Sequence, residues 1–354
     1  MGRMLFFTLI SMMIAGEVLS QESSWKPLSS GTNGTVNALT IYDGKLIAAG
    51  RFSTAGGVQA NCIAAWDGRR WSALGPGIDI TGGEATAVYA LTTYRNQLIA
   101  AGSFPRAGGK DVSRIASWDG KKWSRLGTGL SSRVIRAVAV YKGRLIVAGD
   151  LCLVGVPGAY GVAAWDGNTW SAIGAFGDNS VEARRFRALS VYDNELVVGG
   201  EIPRLRAWNG SSWRLFGEHK VPNGILSLAI HDGVLVIGGT HGGSFGGYSG
   251  PTIGSWDGNS WSRIGSNIEG AIWALAEIDG NLVAAGWFCT NLCPYSGVME
   301  WNGRSWAPIQ MKGFKRGTVF ALAEYEQQLI AAGRWQWSEW GDSIPKTYIA
   351  AWSR

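Results

Sequence analysis

The chain carries few side chains whose types and spacing could do chemistry. The most conspicuous is an aspartate set between tryptophan and glycine. Trp66-Asp67-Gly68 returns as Trp118-Asp119-Gly120, Trp165-Asp166-Gly167 and Trp256-Asp257-Gly258, and with asparagine as Trp208-Asn209-Gly210 and Trp301-Asn302-Gly303. A catalytic acid is needed once, whereas Asx-Gly in six successive repeats is what a turn requires. The three histidines, His219, His231 and His241, are scattered. Two could reach one metal ion, but no third ligand is evident, so no metal site is expected. Asp178, Glu182, Glu201 and Glu218 fall in or near the fourth and fifth repeats. A close carboxylate pair could hydrolyse a glycoside, but four dispersed acids do not make one. Gly242-Gly243 and Gly246-Gly247 are not followed by a helix that could hold a phosphate. The chain therefore reads as noncatalytic and free of cofactor.

The elements that carry these residues repeat. Val36 to Tyr42 is rich in β-branched and aromatic residues and reads as a strand, a. Asp43-Gly44 is a two-residue hairpin signal, because both positions take positive φ. Leu46 to Phe52 is the return strand, b. A Gly-rich loop leads to strand c, Cys62 to Trp66, and the Asp-Gly turn leads to strand d, Trp71 to Leu74. Strand b is apolar without alternation, as in Leu46-Ile47-Ala48-Ala49-Gly50, and so reads as buried on both faces. Its small residues are expected to let neighbouring sheets approach closely.

The tryptophans that end strand c lie 43 to 52 residues apart, a length that holds four short strands. Four strands per unit is the signature of a propeller blade. Seven a-b-c sets are present but only six d strands follow them. The seventh c strand, Tyr348 to Trp352, has no successor, while Trp25-Lys26-Pro27-Leu28 is a d-type strand with no blade. The two ends are expected to pair and close a seven-bladed ring, which hides the edges of an open array.

The a-b-c-d plan, the Gly-rich b strand and the aromatic-bracketed c–d hairpin resemble Kelch-like propellers. Trp-Asp-Gly before the turn departs from the usual Kelch Tyr and Asp-Pro. It is similar to secreted bacterial Trp-Asp-Gly repeat proteins and to the extracellular repeats of the fungal cortical cell-polarity marker family. The resemblance covers residues 25 to 354 and implies a fold; propellers host many functions. Some Kelch-type propellers are copper oxidases using two histidines and two tyrosines, and nothing here matches that set residue by residue.

Fourteen of the 19 tryptophans end strand c or begin strand d. A repeated position points to packing. The other five, Trp273, Trp287, Trp335, Trp337 and Trp340, are read as lying off the repeat, in blades six and seven. Alternating strand direction puts the b–c and d–a loops on one face of the disc, around the channel mouth, and these five belong there. With Phe320 and Arg334 they form the candidate ligand site, joined by Tyr295 and by Lys312, Lys315 and Arg316 nearby. Aromatic faces bury large area at low entropic cost, and Trp and Arg are enriched at binding hot spots. The alternative is that long loops pack on their own tryptophans.

Bulk properties narrow the setting. The net charge of +6 is spread without a dense basic stripe, which argues against nucleic-acid binding. Residues 1–20 have the form of a secretory signal: Arg3, then an apolar run from Met4 to Gly16, then small residues before a cut at Gln21. The propeller would occupy residues 21–354, outside the cytoplasm: secreted, periplasmic or on the cell surface. No later segment is long and apolar enough to span a bilayer. Cys289 and Cys293 bracket three residues and are a candidate disulfide; Cys62 and Cys152 lie in or near separate repeats, which leaves their state open. The expectation is a monomeric, all-β, seven-bladed binding or scaffold protein that engages an extracellular protein or glycan on its b–c/d–a face. A propeller enzyme on the same face (glycan lyase, hydrolase or metal oxidase) and a purely structural surface protein are the competing classes.

Overall fold

A computed structural model describes residues 24–79, 86–156, 158–174, 185–201, 204–217, 224–240, 244–245, 248–249, 253–265, 268–290, 293–309, 314–337 and 348–353. Seven four-stranded antiparallel sheets are arranged as a propeller, each in the order a-b-c-d from the axis outward. In blade one the strands are Thr35–Tyr42, Lys45–Arg51, Ile63–Trp66 and Trp71–Ala73. Blade seven is assembled from both ends of the chain. Its strands a, b and c are Phe314–Tyr325, Gln328–Trp337 and Ile349–Ser353, and its strand d is Ser24–Pro27. The closing register is Trp25 opposite Trp352 and Lys26 opposite Ala351.

The a–b turns follow from local chemistry. Asp43 and Gly44 take φ of 51° and 68°, and the turns of the other six blades also hold two successive residues at positive φ. Two positive φ values give the turn twist that flanking strands favour.

The core is seven separate interfaces. Strand b supplies both faces of each blade: Leu46 and Ala48 pack toward blade seven, while Ile47 and Ala49 pack toward blade two. Burial on both faces is the reason strand b reads as an unbroken apolar run.

The c–d hairpins fasten the rim. Trp66 and Trp71 are cross-strand partners with ring centroids 5.3 Å apart, and the pairs of blades two to six repeat this at 5.2 to 5.4 Å. The d-strand indole then reaches the preceding blade: Trp71 Nε1 donates to the Leu28 carbonyl and Trp123 Nε1 to that of Leu74, both at 2.9 Å. Asp67 Oδ1 accepts from the backbone N–H of Arg69 and Arg70 at 3.0 and 2.8 Å. Asn209 and Asn302 accept the same pair of bonds in their blades. The repeated aspartate is a turn former.

Strands a and b also carry a feature that the sequence reading missed. In every blade strand a is bulged by one residue, at the second position of its common segment. The residue skipped in the a–b ladder is Asn37, Tyr89, Arg136, Arg187, Leu226, Trp273 and Phe320 in turn. A bulge inserts one unpaired residue and re-aims its side chain. Opposite each bulge strand b has glycine. A Cβ at Gly102 would stand 2.0 Å from the Ala87 carbonyl oxygen, and at Gly286 it would stand 2.0 Å from that of Ala271. These glycines are therefore fixed by the bulge within their own sheet. Close approach of the next blade applies at Gly199 and Gly238, where a Cβ would meet Ile225 and Ile272.

The Gly-rich b–c loops of blades one and two fold into short hairpins, Thr54–Ala55 with Val58–Gln59 and Arg106–Ala107 with Lys110–Asp111. Each bridges to the incoming d–a linker, Thr32 to Ala55 and Ile78 to Ala107.

Candidate site at the channel mouth

The seven bulged residues share one backbone position and converge on the propeller axis. Together they line a cavity of about 300 Å³ at the b–c/d–a end of the channel. Each is half-buried between two buried neighbours on strand a. No two adjacent blades repeat a residue except three and four, where both supply arginine. The ring is divided. Asn37, Tyr89, Arg136 and Arg187, from blades one to four, make a polar arc; Leu226, Trp273 and Phe320, from blades five to seven, make an apolar one.

The polar arc is cationic. Arg187 Nε donates to Glu201 Oε1 at 3.0 Å, and Arg185 Nη1 donates to Oε2 at 3.2 Å. Arg133 lies 4.0 Å from Asp150. Arg136 has no carboxylate within ion-pair distance among the described residues, and its guanidinium rests 5.8 Å from the centroid of Tyr89. Four guanidiniums thus face two carboxylates in this sector. Burial, and then the nearby Arg187 charge, pull Arg136 below the ordinary arginine range. Asn37 Nδ2 donates to the Val88 carbonyl at 2.9 Å and ties blade one to blade two.

The apolar arc is a packed wall. Trp273 and Phe320 meet edge to face, with centroids 5.2 Å apart and planes at 85°. Leu226 extends the wall on the other side of Trp273.

A second ring surrounds the first, one residue beyond each strand-b glycine: Arg51, Ser103, Asp150, Glu201, Thr240, Trp287 and Arg334. Trp287 is 56% exposed and Arg334 is exposed. One residue further along, the side chain turns inward, as strand alternation requires. Phe52, Phe104, Leu151, Phe288 and Trp335 are all buried there.

Two readings of the five extra tryptophans need correction. Trp335 is 1% exposed and packs with Val283, Ala285 and Val298 between blades six and seven. It fills the place that Phe52 and Phe104 fill elsewhere, so it cannot offer a face to a ligand. Trp273, Trp287 and Trp335 also do not lie off the repeat: they occupy repeat positions whose residue type varies. Trp337 ends strand b of blade seven, opposite Phe314, but its side chain lies outside the described residues, as does all of Trp340. Lys312 and the side chains of Tyr295, Lys315, Arg316, Cys289 and Cys293 are likewise outside them. The structure therefore brings together Trp273 and Phe320 of the expected set, leaves Trp287 and Arg334 exposed in the surrounding ring, and withdraws Trp335.

Glu201 and His231 have structural partners. Glu201 is held below the usual carboxylate range, first by the Arg187 hydrogen bond and then by the nearby arginine charges. A general acid for glycoside hydrolysis needs the opposite shift. Asp178, Glu182 and Glu218 lie outside the described residues, as do His219 and His241. His231 Nδ1 lies 3.0 Å from Glu277 Oε2 of the next blade. Among the described residues no group of three or more His, Cys, Asp or Glu could hold a metal ion. Burial pushes the Cys62 thiol up to about 11, which leaves it inert as a nucleophile near neutral pH. Cys62 and Cys152 are free. No helix among the described residues is long and apolar enough to cross a membrane.

No protein-family model matches the chain, and no curated protein matches it in sequence. Solved structures match in fold. The extracellular domain of the putative hybrid two-component system BT3049 from B. thetaiotaomicron aligns with TM-score 0.62 at 11% identity, over 94% of this chain and 42% of that one. YCF48 bound to D1 peptide aligns with TM-score 0.59 at 14% identity, over 93% and 96%. The computationally designed Ika8 protein aligns with TM-score 0.55 at 14% identity, over 92% and 98%. At such identities the likeness is one of fold.

Proposed function

We propose that this chain is an exported, noncatalytic binding propeller that captures an extracellular protein at the channel mouth. The observation that carries the reading is the bulged ring. One backbone position, held in place seven times by the same bulge and the same glycine, bears seven side chains chosen without regard to repeat symmetry. Packing would favour a repeated residue, as it does at the rim; a ligand does not share the propeller's symmetry and favours an asymmetric ring. YCF48 bound to D1 peptide shares this fold, which supports a protein partner. The blade plan also supports grouping the chain with Kelch-like, Trp-Asp-Gly repeat propellers.

A second reading, a glycan ligand, is favoured by one observation: the exposed indole of Trp287 beside the mouth. Screening the secreted protein against peptide and glycan arrays, with Trp273→Ala and Arg136→Ala variants in parallel, tests the site. A ligand that both variants lose while keeping their melting temperature within a few degrees supports it. A ligand that both variants retain rejects it. Export is tested separately by N-terminal sequencing of the extracellular product, expected to begin at Gln21.

A further inference from the structure

Resting on the binding reading above, we infer that the channel mouth recognises the carboxy-terminal residue of a peptide: a free α-carboxylate carried next to a large apolar side chain. Three features of the ring lead to this class.

The first is the division of the ring. The polar and apolar residues form two unbroken arcs, Asn37 to Arg187 and Leu226 to Phe320. A ligand that fills the mouth must therefore be polar and anionic on one side and apolar on the other, across a cavity of about 300 Å³. That volume is at the low end for a ligand pocket. It admits the end of a chain and excludes a folded surface.

The second is the state of Arg136. It is half-buried and has no carboxylate partner within ion-pair distance among the described residues, while Arg187 beside it has Glu201. The charges of Glu201 and Asp150 act on Arg136 only from beyond bonding distance; a partly desolvated guanidinium with no bonded carboxylate gains from an arriving anion, and the planar fork matches a carboxylate in two parallel hydrogen bonds. Tyr89 and Asn37, with hydroxyl and amide donors, flank the same arc.

The third decides between a peptide and an acidic sugar. A sugar stacks on an open aromatic face whose edges are lined by groups that bond its hydroxyls. Trp273 is instead locked edge to face with Phe320 and has Leu226 on its other side. Neither neighbour can donate or accept. Such a wall accommodates an aliphatic or aromatic side chain and leaves sugar hydroxyls unbonded.

The test uses the full secreted chain and a synthetic peptide library with free carboxy-termini, randomised over the last four positions. Each peptide is matched by its carboxy-terminal amide, and oligogalacturonate and N-acetyl-phenylalanine are further arms. The expected result is binding of free acids ending in large apolar residues, with the amides weaker by tenfold or more. Arg136→Gln should bring acid and amide to within about twofold of each other; Arg136→Lys should restore part of the gap. Trp273→Ala should weaken acid and amide alike, by about tenfold. Melting temperature, measured on each variant, separates loss of the site from loss of the fold.

Equal binding of acid and amide by the wild-type chain overturns the inference, and so does failure of every free-acid peptide to bind. Binding of oligogalacturonate that is lost with Arg136→Gln, without peptide binding, overturns it while leaving the channel mouth as a ligand site. Binding of N-acetyl-phenylalanine as tight as that of the best peptide also overturns it, since the ligand would then be a small aromatic acid. Peptide binding that survives both ring substitutions overturns both this inference and the site.

Discussion

The rim and the hub of this propeller are built from the same seven blades and obey opposite rules. At the rim, strands c and d present tryptophan at both ends of each turn, and blades one to six pack the pair in the same way, while the closing pair of blade seven, Trp25 and Trp352, sits wider at 6.5 Å. At the hub, strand a presents one bulged residue per blade, and asparagine, tyrosine, arginine, leucine, tryptophan and phenylalanine all occur there. The backbone is equally regular in both places. Only the side chains differ, so the difference reflects what each place must contact. The rim contacts the next blade, which is a copy of itself, and repetition is the stable solution. The hub contacts the channel, which imposes no repeat.

Substitutions at the two places should separate. The largest effect is expected at the rim. Trp123 is 2% exposed and bonds the Leu74 carbonyl of the preceding blade, so Trp123→Ala should cost about 3–5 kcal/mol in a denaturant titration. Trp273→Ala at the hub should cost less, about 1–3 kcal/mol, because the side chain is only half-buried and its edge-to-face pair with Phe320 adds about 1 kcal/mol to that burial. Comparable losses at both would erase the distinction between them.

Two tryptophans on the same strand type sharpen the point. Trp335→Ala should be destabilising by about 3–5 kcal/mol, because its side chain is buried between blades six and seven. Trp287→Ala, one step out of register with it in the neighbouring blade, should stay within about 0.5 kcal/mol, as surface positions do. Thermal melts of the two variants check this directly.

The bulge itself can be tested at intermediate cost. Gly102→Ala places a Cβ against the Ala87 carbonyl, with no flexible side chain to move aside. A loss of about 1–3 kcal/mol is expected for such overpacking.

The smallest effect concerns acid. Asp67, Asp119, Asp166 and Asp257 are each held below the usual carboxylate range, first by the backbone N–H groups of their own turns. A carboxylate whose folded pKa is depressed contributes stability above its unfolded pKa of about 4 and loses it as pH falls through the folded value. Replacing the four with asparagine keeps the turn bonds, as Asn209 and Asn302 already do. The quadruple variant should melt slightly below the wild-type chain at pH 7, where the four carboxylates are charged, and show a shallower decline below about pH 4.

The rim made the fold legible in the sequence. Trp66 to Trp71 and its copies gave the period, Asp43-Gly44 and its counterparts gave the turns, and the half copies at Trp25 and Trp352 located the closing blade. The hub was only partly legible. Trp273 and Phe320 drew notice because aromatic residues are conspicuous, while Asn37, Tyr89, Arg136, Arg187 and Leu226 did not, because a site of seven unlike residues has no motif. Its signal lay in position: aligning the blades on the strand-b glycine, Gly50, Gly102 and onward, puts all seven in register. The same alignment would have put Trp335 beside Phe52 and Phe104 and shown it to be a core residue. The glycines were read as spacers between sheets because a bulge leaves no periodic mark in the chain.

The most direct test empties the hub and leaves the rim intact. A variant combining Tyr89→Ser, Arg136→Ser, Arg187→Ser, Leu226→Ser, Trp273→Ser and Phe320→Ser would be assayed side by side with the wild-type chain on the same peptide and glycan arrays, with a thermal melt of each. A cooperative melt within several degrees of wild type, with array binding gone, is the predicted result. Retained binding, or collapse of the fold, would contradict the assignment of recognition to the hub and stability to the rim.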